Sequence, residues 1–528
     1  MNRKKTGIVG LILLGLAVSA AAGPEAQAPQ EKTLSLSLEA CILKALSNNF
    51  DLAVQVMTPE TADIAVSMAG EKFIPTLAFA YNRRDTAQAS FSFLEAADQV
   101  TVLRDNTSVQ LNQQLPFGGS LGMTLSGAKT DTNSSFQTIN PRFETQLNFS
   151  FSQPLLRNFG FDMSRREIIV AQNNLRIAEE DFAQFVQSLV YRVEEAYWNL
   201  VYAIDSLEVR KQSLALAEDL LDKNKRSVEI GTLAPIDVLN AQADVASREA
   251  DVLDAQALVK NSEDVLRAVI NLAADTPAAA GLKILPTDRP IFDEVAVDLD
   301  EALAAALANS PELSSGRIDI RNKELNLTYA RNQLLPGLDL TAQYWSPGVS
   351  GTQILYEGGN PLFGGIIGTV PGDVSEAMKD TFNFKYRNWS VGLTLSLPLN
   401  AVFSRAAAAQ AMVALDQSQA LLKSREQQLD IEVRSAVRAV RTNFMRVQAY
   451  RVARELAQKK LEAEEEKLRV GLTTNYFVLQ YQRDLADRQT LELRALIDYN
   501  LSLAKLAQVK GVNLKEKNIN IVELMSRD

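Results

Sequence analysis

Histidine is absent from the 528 residues, and cysteine occurs once, at Cys41. Without imidazole the chain lacks the usual general base, proton shuttle and commonest metal ligand. A single thiol excludes an intramolecular disulfide and any zinc site of the usual cysteine/histidine kind. No glycine-rich phosphate loop follows a strand, and no carboxylate pair stands apart from solvated helix charges, so neither an enzyme nor a cofactor is expected. Basic clusters are missing too. The formal charge is −10, and near −12 once a leader carrying a net +2 is removed, which argues against nucleic acid.

Glycine and proline are missing where their absence says most. Residues 161–230, between Gly160 and Gly231, contain neither, and residues 399–470, between Pro398 and Gly471, contain neither. In the first stretch Ala178, Phe182, Phe185, Leu189, Val193, Ala196, Leu200, Ile204 and Leu207 form one helical stripe. At 1.5 Å per residue this is a rod of roughly 105 Å. Charges recur every turn or so, as at Arg176, Glu179, Arg192, Glu194, Asp205 and Arg210, so the rod cannot lie in lipid. It must pack beside similar rods, and we read the stripe as helix packing.

The chain opens with Arg3, Lys4 and Lys5, an apolar run from Ile8 to Val18, and A-x-A sites ending at Ala22 and Ala28. This reads as a cleaved export signal over residues 1–28. Leu38-Glu39-Ala40-Cys41 superficially resembles an acylation box, but Glu31, Lys32 and Glu39 separate it from the apolar run, and Cys41 reads as a small apolar residue on a helix face. Helix follows from about 38 to 73, with Ser37 or Ser35 as N-cap and a break at Asn48-Asn49.

After Pro75 the texture changes to period two: 76–81, 108–113, 120–125 and, most clearly, 142–151. Alternating segments between polar turns in an exported chain suggest a transmembrane β-barrel, although alone they would fit a soluble sheet equally well. The second half tips the balance. A shift of 261 pairs Leu38, Ala45, Leu46, Asn48 and Leu52 with Leu299, Ala306, Leu307, Asn309 and Leu313, and Ile74-Pro75 with Leu335-Pro336. A shift of 240 pairs Gly231 with Gly471, Val238-Leu239 with Val478-Leu479, Asp244 with Asp484 and Arg248 with Arg488.

The expected fold class is therefore mainly α with a transmembrane β part, in two structural repeats of long antiparallel helices plus strands. The first repeat covers 29–275, with strands within 76–153 and helices at 161–230 and 235–275. A linker follows at 276–298. The second repeat covers 299–514, with strands within 338–397 and helices at 299–334, 401–470 and 474–510, and a tail closes the chain at 515–528. Trp345, Tyr386 and Trp389 are placed as interfacial aromatics would be. Whether the extra sequence between Asn106 and Pro141 adds a hairpin to the barrel stays open. A few strands cannot close a barrel alone, so an oligomer is expected.

In their order, these motifs resemble the outer membrane efflux family of TolC-type channel-tunnels: the Leu38 and Leu299 openings, Leu334-Leu335-Pro336, and the Gly-x(6)-Val-Leu helix turns, over nearly all of the mature chain. The resemblance implies a homotrimer in the outer membrane of a Gram-negative bacterium, with a shared 12-stranded β-barrel and an α-helical barrel across the periplasm. It also implies a periplasmic adaptor (membrane fusion protein) and an inner-membrane RND, ABC or MFS transporter, in a tripartite efflux pump or type I secretion system. A periplasmic coiled-coil scaffold without a channel would explain the rods but not the strands at matching points of both halves.

By the same resemblance, adaptor docking falls at Ile230, Gly231 and Thr232, and at Val470, Gly471 and Leu472; a C-cap role alone also explains the glycines. The family's best-known members narrow the entrance with acids in the second-half turn. Here Phe477 and Gln480 occupy those positions, and Asp237, beside Asn240, is the acid left nearby. This suggests a mainly steric and aromatic gate at Phe477; packing between the helix pair is the alternative.

Overall fold

The computed structural model describes residues 33–90, 98–134, 137–272, 282–360 and 364–525, so the expected leader lies outside the described residues. The first elements are strand β1 (Thr33–Leu36) and helices α1 (Leu38–Asn48) and α2 (Phe50–Gly70). The Ser37 hydroxyl accepts from the Ala40 N–H at 3.2 Å, and the Asn49 side chain accepts from Leu52 N–H at 3.0 Å, so the expected break is a cap that ends one helix and starts the next. Cys41 lies wholly buried in the middle of α1, and burial pushes its thiol up to about 12, as befits a core residue and not an acylated one.

Four strands follow, β2 (Thr76–Ala89), β3 (Gln99–Gln114), β4 (Ser120–Thr132) and β5 (Ile139–Pro154). The sequence between Asn106 and Pro141 therefore does form a hairpin, β3–β4, within the sheet. A short helix, α3 (Phe161–Ser164), is separated at Arg165 from the long helix α4 (Arg166–Glu229), which corrects the single helix expected from 161. Its 64 residues make a rod of about 96 Å. Helix α5 (Pro235–Ile270) returns along it.

Part of the stretch read as a linker forms β6 (Lys283–Pro286), which pairs in parallel with β1. Then come α6 (Leu299–Asn309) and α7 (Pro311–Asn332), split at Ser310, whose hydroxyl caps α7; this corrects the single helix expected over 299–334. The second set of strands is β7 (Gly337–Tyr356), β8 (Ile366–Val370) and β9 (Asn388–Ser396), with helix α8 (Val374–Phe382) before β9. Helices α9 (Val402–Arg469) and α10 (Asn475–Val509) form the second long pair. The tail ends in α11 (Asn513–Glu516) and α12 (Ile521–Met525), with Leu514 and Leu524 buried against the waist and Asn513 donating to the Gln187 carbonyl at 3.0 Å. No described helix is long and apolar enough to cross a membrane.

The sheet runs β2-β3-β4-β5-β7, and the far side of β7 pairs with β9 along its lower half and β8 along its upper half. Because side chains alternate, register decides its two faces. One row across all six columns reads Leu77, Leu111, Met123, Phe149, Tyr344, Trp389. Its neighbour reads Thr76, Asn112, Gly122, Ser150, Gln343, Ser390. One face is apolar and the other polar, the division a barrel wall in lipid requires.

Helix α8 sits on the continuation of the apolar face. Thr145, two residues before Leu147 on that face, shares a hydrogen bond with Thr381 at 2.7 Å, and the Ala377 carbonyl lies against Gly348, where a side chain would collide. Within one copy, then, this part of the β7–β9 connection lies on the apolar face of the sheet and not on its polar face.

Candidate functional site

The two helix turns at the end of the rods share one geometry. In the first, Gly231 has φ +77°, its N–H donates to the Val228 carbonyl at 3.0 Å, and Thr232 N–H donates to Ser227 at 2.9 Å. In the second, Gly471 has φ +74°, with Gly471 N–H on Leu468 at 3.0 Å and Leu472 N–H on Lys467 at 2.9 Å. Both are Schellman caps, which need a left-handed residue after the helix. Neither glycine has an atom within 4 Å of where a Cβ would stand, so conformation and not crowding selects glycine.

Apolar side chains surround these caps in the open. Ile230 is 75% exposed, Leu472 77% and Val470 60%, and Ile236, Leu239 and Tyr476 are exposed beside them. Single exposed apolar residues are ordinary; here several flank each turn.

Phe477 and Gln480 stand exposed in the first turns of α10, and Asp237 and Asn240 hold the same places in α5, with Asp237 half-buried and Asn240 exposed. Phe477 meets Tyr476 edge-on at 5.6 Å, while the packing positions of α10 belong to Val478 and Leu479, 2% and 7% exposed. The Phe477 ring therefore takes no core position between the helices of one copy. On the other side of the turn, Thr473 Oγ1 donates to Glu464 Oε1 at 2.6 Å and Lys467 lies 3.0 Å from Glu464 Oε2. The Thr473 hydroxyl, then Lys467, hold the Glu464 carboxyl below its ordinary range.

Of the expected interfacial aromatics, Trp389 ends the apolar row, next to Tyr344, and Tyr386 lies exposed just before β9. Trp345 is corrected by register. It pairs with Asn148 and Asn388 and so lies on the polar face; Tyr344, one residue earlier, is the aromatic on the apolar side, with Phe384 packed on it at 5.8 Å.

The sequence model of the family described as "Outer membrane efflux protein" matches residues 140–272 and 302–512. The chain belongs to that family. Its function is the family's, an outer membrane channel for efflux. Among curated relatives of this efflux protein, the outer membrane protein TolC of Vibrio cholerae is 26% identical over 370 residues, 69% of this chain and 77% of the relative. The alkaline protease secretion protein AprF of Pseudomonas aeruginosa is 24% identical over 384 residues, covering 71% and 70%. Among solved structures, a membrane protein from Pseudomonas aeruginosa superposes with TM-score 0.64 at 17% identity, covering 90% of this chain and 93% of that one. The CmeC outer membrane channel of Campylobacter jejuni gives 0.64 at 14%, covering 92% and 90%.

In this efflux protein the sequence reading missed a buried ionic clamp inward of the turns. Arg248, 2% exposed, donates to the Ser213 carbonyl at 2.7 Å, to Ser213 Oγ at 3.1 Å and to the Leu479 carbonyl at 3.2 Å. Its Nε lies 2.7 Å from Asp244 Oδ2, and Arg483 Nη2 reaches Asp244 Oδ1 at 2.6 Å. Burial pulls the Arg248 guanidinium below its ordinary pKa, and Asp244 opposes that. Farther along the rods, Arg210 of α4 bridges Asp251 at 3.6 Å and Asp487 at 3.1 Å. The signal was an arginine standing in the stripe Ala241, Val245, Arg248, Val252, Ala255, where an apolar residue belongs.

Proposed function

We propose that three copies form the exit duct of a tripartite efflux pump or a type I secretion system, with the sheet in the outer membrane and the rods reaching through the periplasm. What carries this reading is the apolar row Leu77 to Trp389 on a sheet joined to charged rods of about 96 Å. One chain cannot close such a sheet, and the exposed apolar tip gives an adaptor something to grip. Ile230, Gly231 and Thr232 with Val470, Gly471 and Leu472 form that docking tip, and an RND, ABC or MFS transporter stands behind the adaptor. Phe477 narrows the entrance sterically, with Gln480 beside it and Asp237 and Asn240 contributing a weak electrostatic term. The Vibrio cholerae and Pseudomonas aeruginosa relatives fit pump and secretion duty alike.

Two measurements test this. Light scattering corrected for detergent should give three chains for protein extracted from outer membranes. Planar-bilayer recording should show channels whose conductance and drug leakage rise in Phe477→Ala. A water-soluble monomer without conductance would leave a coiled-coil scaffold as the better account, and a Phe477→Ala channel identical to the parent would end the gate.

A further inference from the structure

Both flanks of the chain are unfinished, and they match. Helix α7 lies between two rods: Asn173 of α4 donates to Asn322 at 2.8 Å, and Ser418 of α9 donates to Asp319 at 2.9 Å. Helix α2 holds the corresponding place in the first half, and among the described residues its main packing partner is α4. Its outer side shows Phe50, Val54, Met57, Ile64 and Met68; Met57 is 58% exposed, whereas Ile318, 261 residues on, is 7% exposed. Along α9, Met412, Val413, Leu421 and Ile431 are all exposed. What α9 does for α7 within one copy, the α9 of a second copy would do for α2.

The sheet is open at the same two flanks. β2 is one edge and β9 the other, and six antiparallel columns make them run in opposite directions. The sheet is also sheared: the row starting at Thr76, the first residue of β2, reaches β9 at Ser390, six residues short of its end at Ser396. Six residues of rise are about 20 Å, against about 24 Å for five strand spacings. The strands thus tilt by about 40°, within the 35–45° that closure of a barrel needs.

We propose that β9 of one copy pairs with β2 of the next, Thr76 opposite Ser396, Leu77 opposite Leu395, Phe79 opposite Leu393 and Tyr81 opposite Val391. This inference rests on the three-copy assembly above. Each copy then contributes six strands, and the ring has eighteen instead of the twelve that the family resemblance implies. The register keeps both strand ends level at the rods, carries the six-residue stagger into every copy, and matches apolar with apolar on the outer face. On the inner face it sets Ala78 opposite Thr394. A slip of one residue would turn Gly392 and Thr394 into the lipid face, so the register is strongly specified. The diameter grows with strand number, giving a bore about one and a half times that of a twelve-stranded ring.

The test is imaging of the full-length protein in lipid nanodiscs together with an Ala78→Cys/Thr394→Cys variant, Cys41 being buried and out of reach. Eighteen strands and a reductant-sensitive three-chain ladder are expected. Within one copy the two positions lie five strand spacings apart, so the cross-link can form only between copies. A twelve-stranded ring with the β3–β4 hairpin folded out, or cross-linking in Ala78→Cys/Ser390→Cys instead, would overturn the proposal while leaving the channel reading intact. A monomer without conductance would overturn that reading as well.

Discussion

Arg483 Nη2 lies 2.6 Å from Asp244 Oδ1, and Asp244 Oδ2 lies 2.7 Å from the Nε of buried Arg248. One carboxylate thus ties the second helix pair to the first, close to the tip at which we propose that the duct opens. Replacing Arg248 by Met keeps the volume but strips donors from the Ser213 and Leu479 carbonyls and half of Asp244's partners. Breaking a buried pair in this way costs about 3–5 kcal/mol. Hydrogen exchange should speed up locally in residues 213–221, 241–252 and 478–486, and not in the sheet. Bilayer leakage should rise. Unchanged exchange in these segments would show the clamp to be idle.

The glycines separate conformation from crowding. Gly231→Ala and Gly471→Ala each place a side chain in open space at positive φ, so each should cost about 1–2 kcal/mol of local stability without moving neighbours. Gly348→Ala is the opposite case, since its Cβ would strike the Ala377 carbonyl. That variant should expel α8 and expose Thr381 to proteolysis nearby, whereas the tip variants should leave the β7–β9 connection as resistant as in the parent.

Glu464 makes the second turn pH-dependent. Its carboxyl is held low by the Thr473 hydroxyl and then Lys467, so folding binds its proton less tightly than the unfolded chain does. The stabilisation is complete above the ordinary glutamate value of about 4.3 and is lost as the pH falls through the lower folded value. Amide exchange at Leu472 and Thr473, corrected for intrinsic rates, should therefore accelerate on acidification. In Thr473→Val most of that pH dependence should vanish; if it persists, another group controls the turn.

Much of this was legible because local chemistry agreed with the fold. Asn49 caps the helix it precedes, and Gly231 and Gly471 close the rods, so that break and those turns could be read from single residues, whereas the cap at Ser310 went unread inside the one helix expected over 299–334. The strands were read only where one face is apolar and the other polar. β7 runs on to Tyr356 and β3 begins at Gln99, and in those outer parts polar residues on both faces erase the alternation. Four-residue β1 and β6 carry no periodic signal at all. Trp345 was misplaced because two aromatics stand side by side, and only the pairing with Asn148 and Asn388 decides which one faces out. The Arg248 clamp needs two helices from different halves to meet, a contact no single stretch announces.

That alternation gives the sheet its sharpest test. Leu393 lies on the apolar face, pairing with Leu340, while its neighbour Thr394 lies on the polar face, pairing with Asp339. An arginine on the lipid side near the bilayer midplane costs about 2–4 kcal/mol, whereas one in the water-filled bore costs little and adds positive charge. Leu393→Arg should therefore lower the yield of detergent-resistant oligomer and its unfolding midpoint in urea. Thr394→Arg should assemble normally and shift ion selectivity towards anions. The reverse outcome would mean that the polar face meets the lipid; equal damage from both would mean that β9 is covered by protein on its two sides.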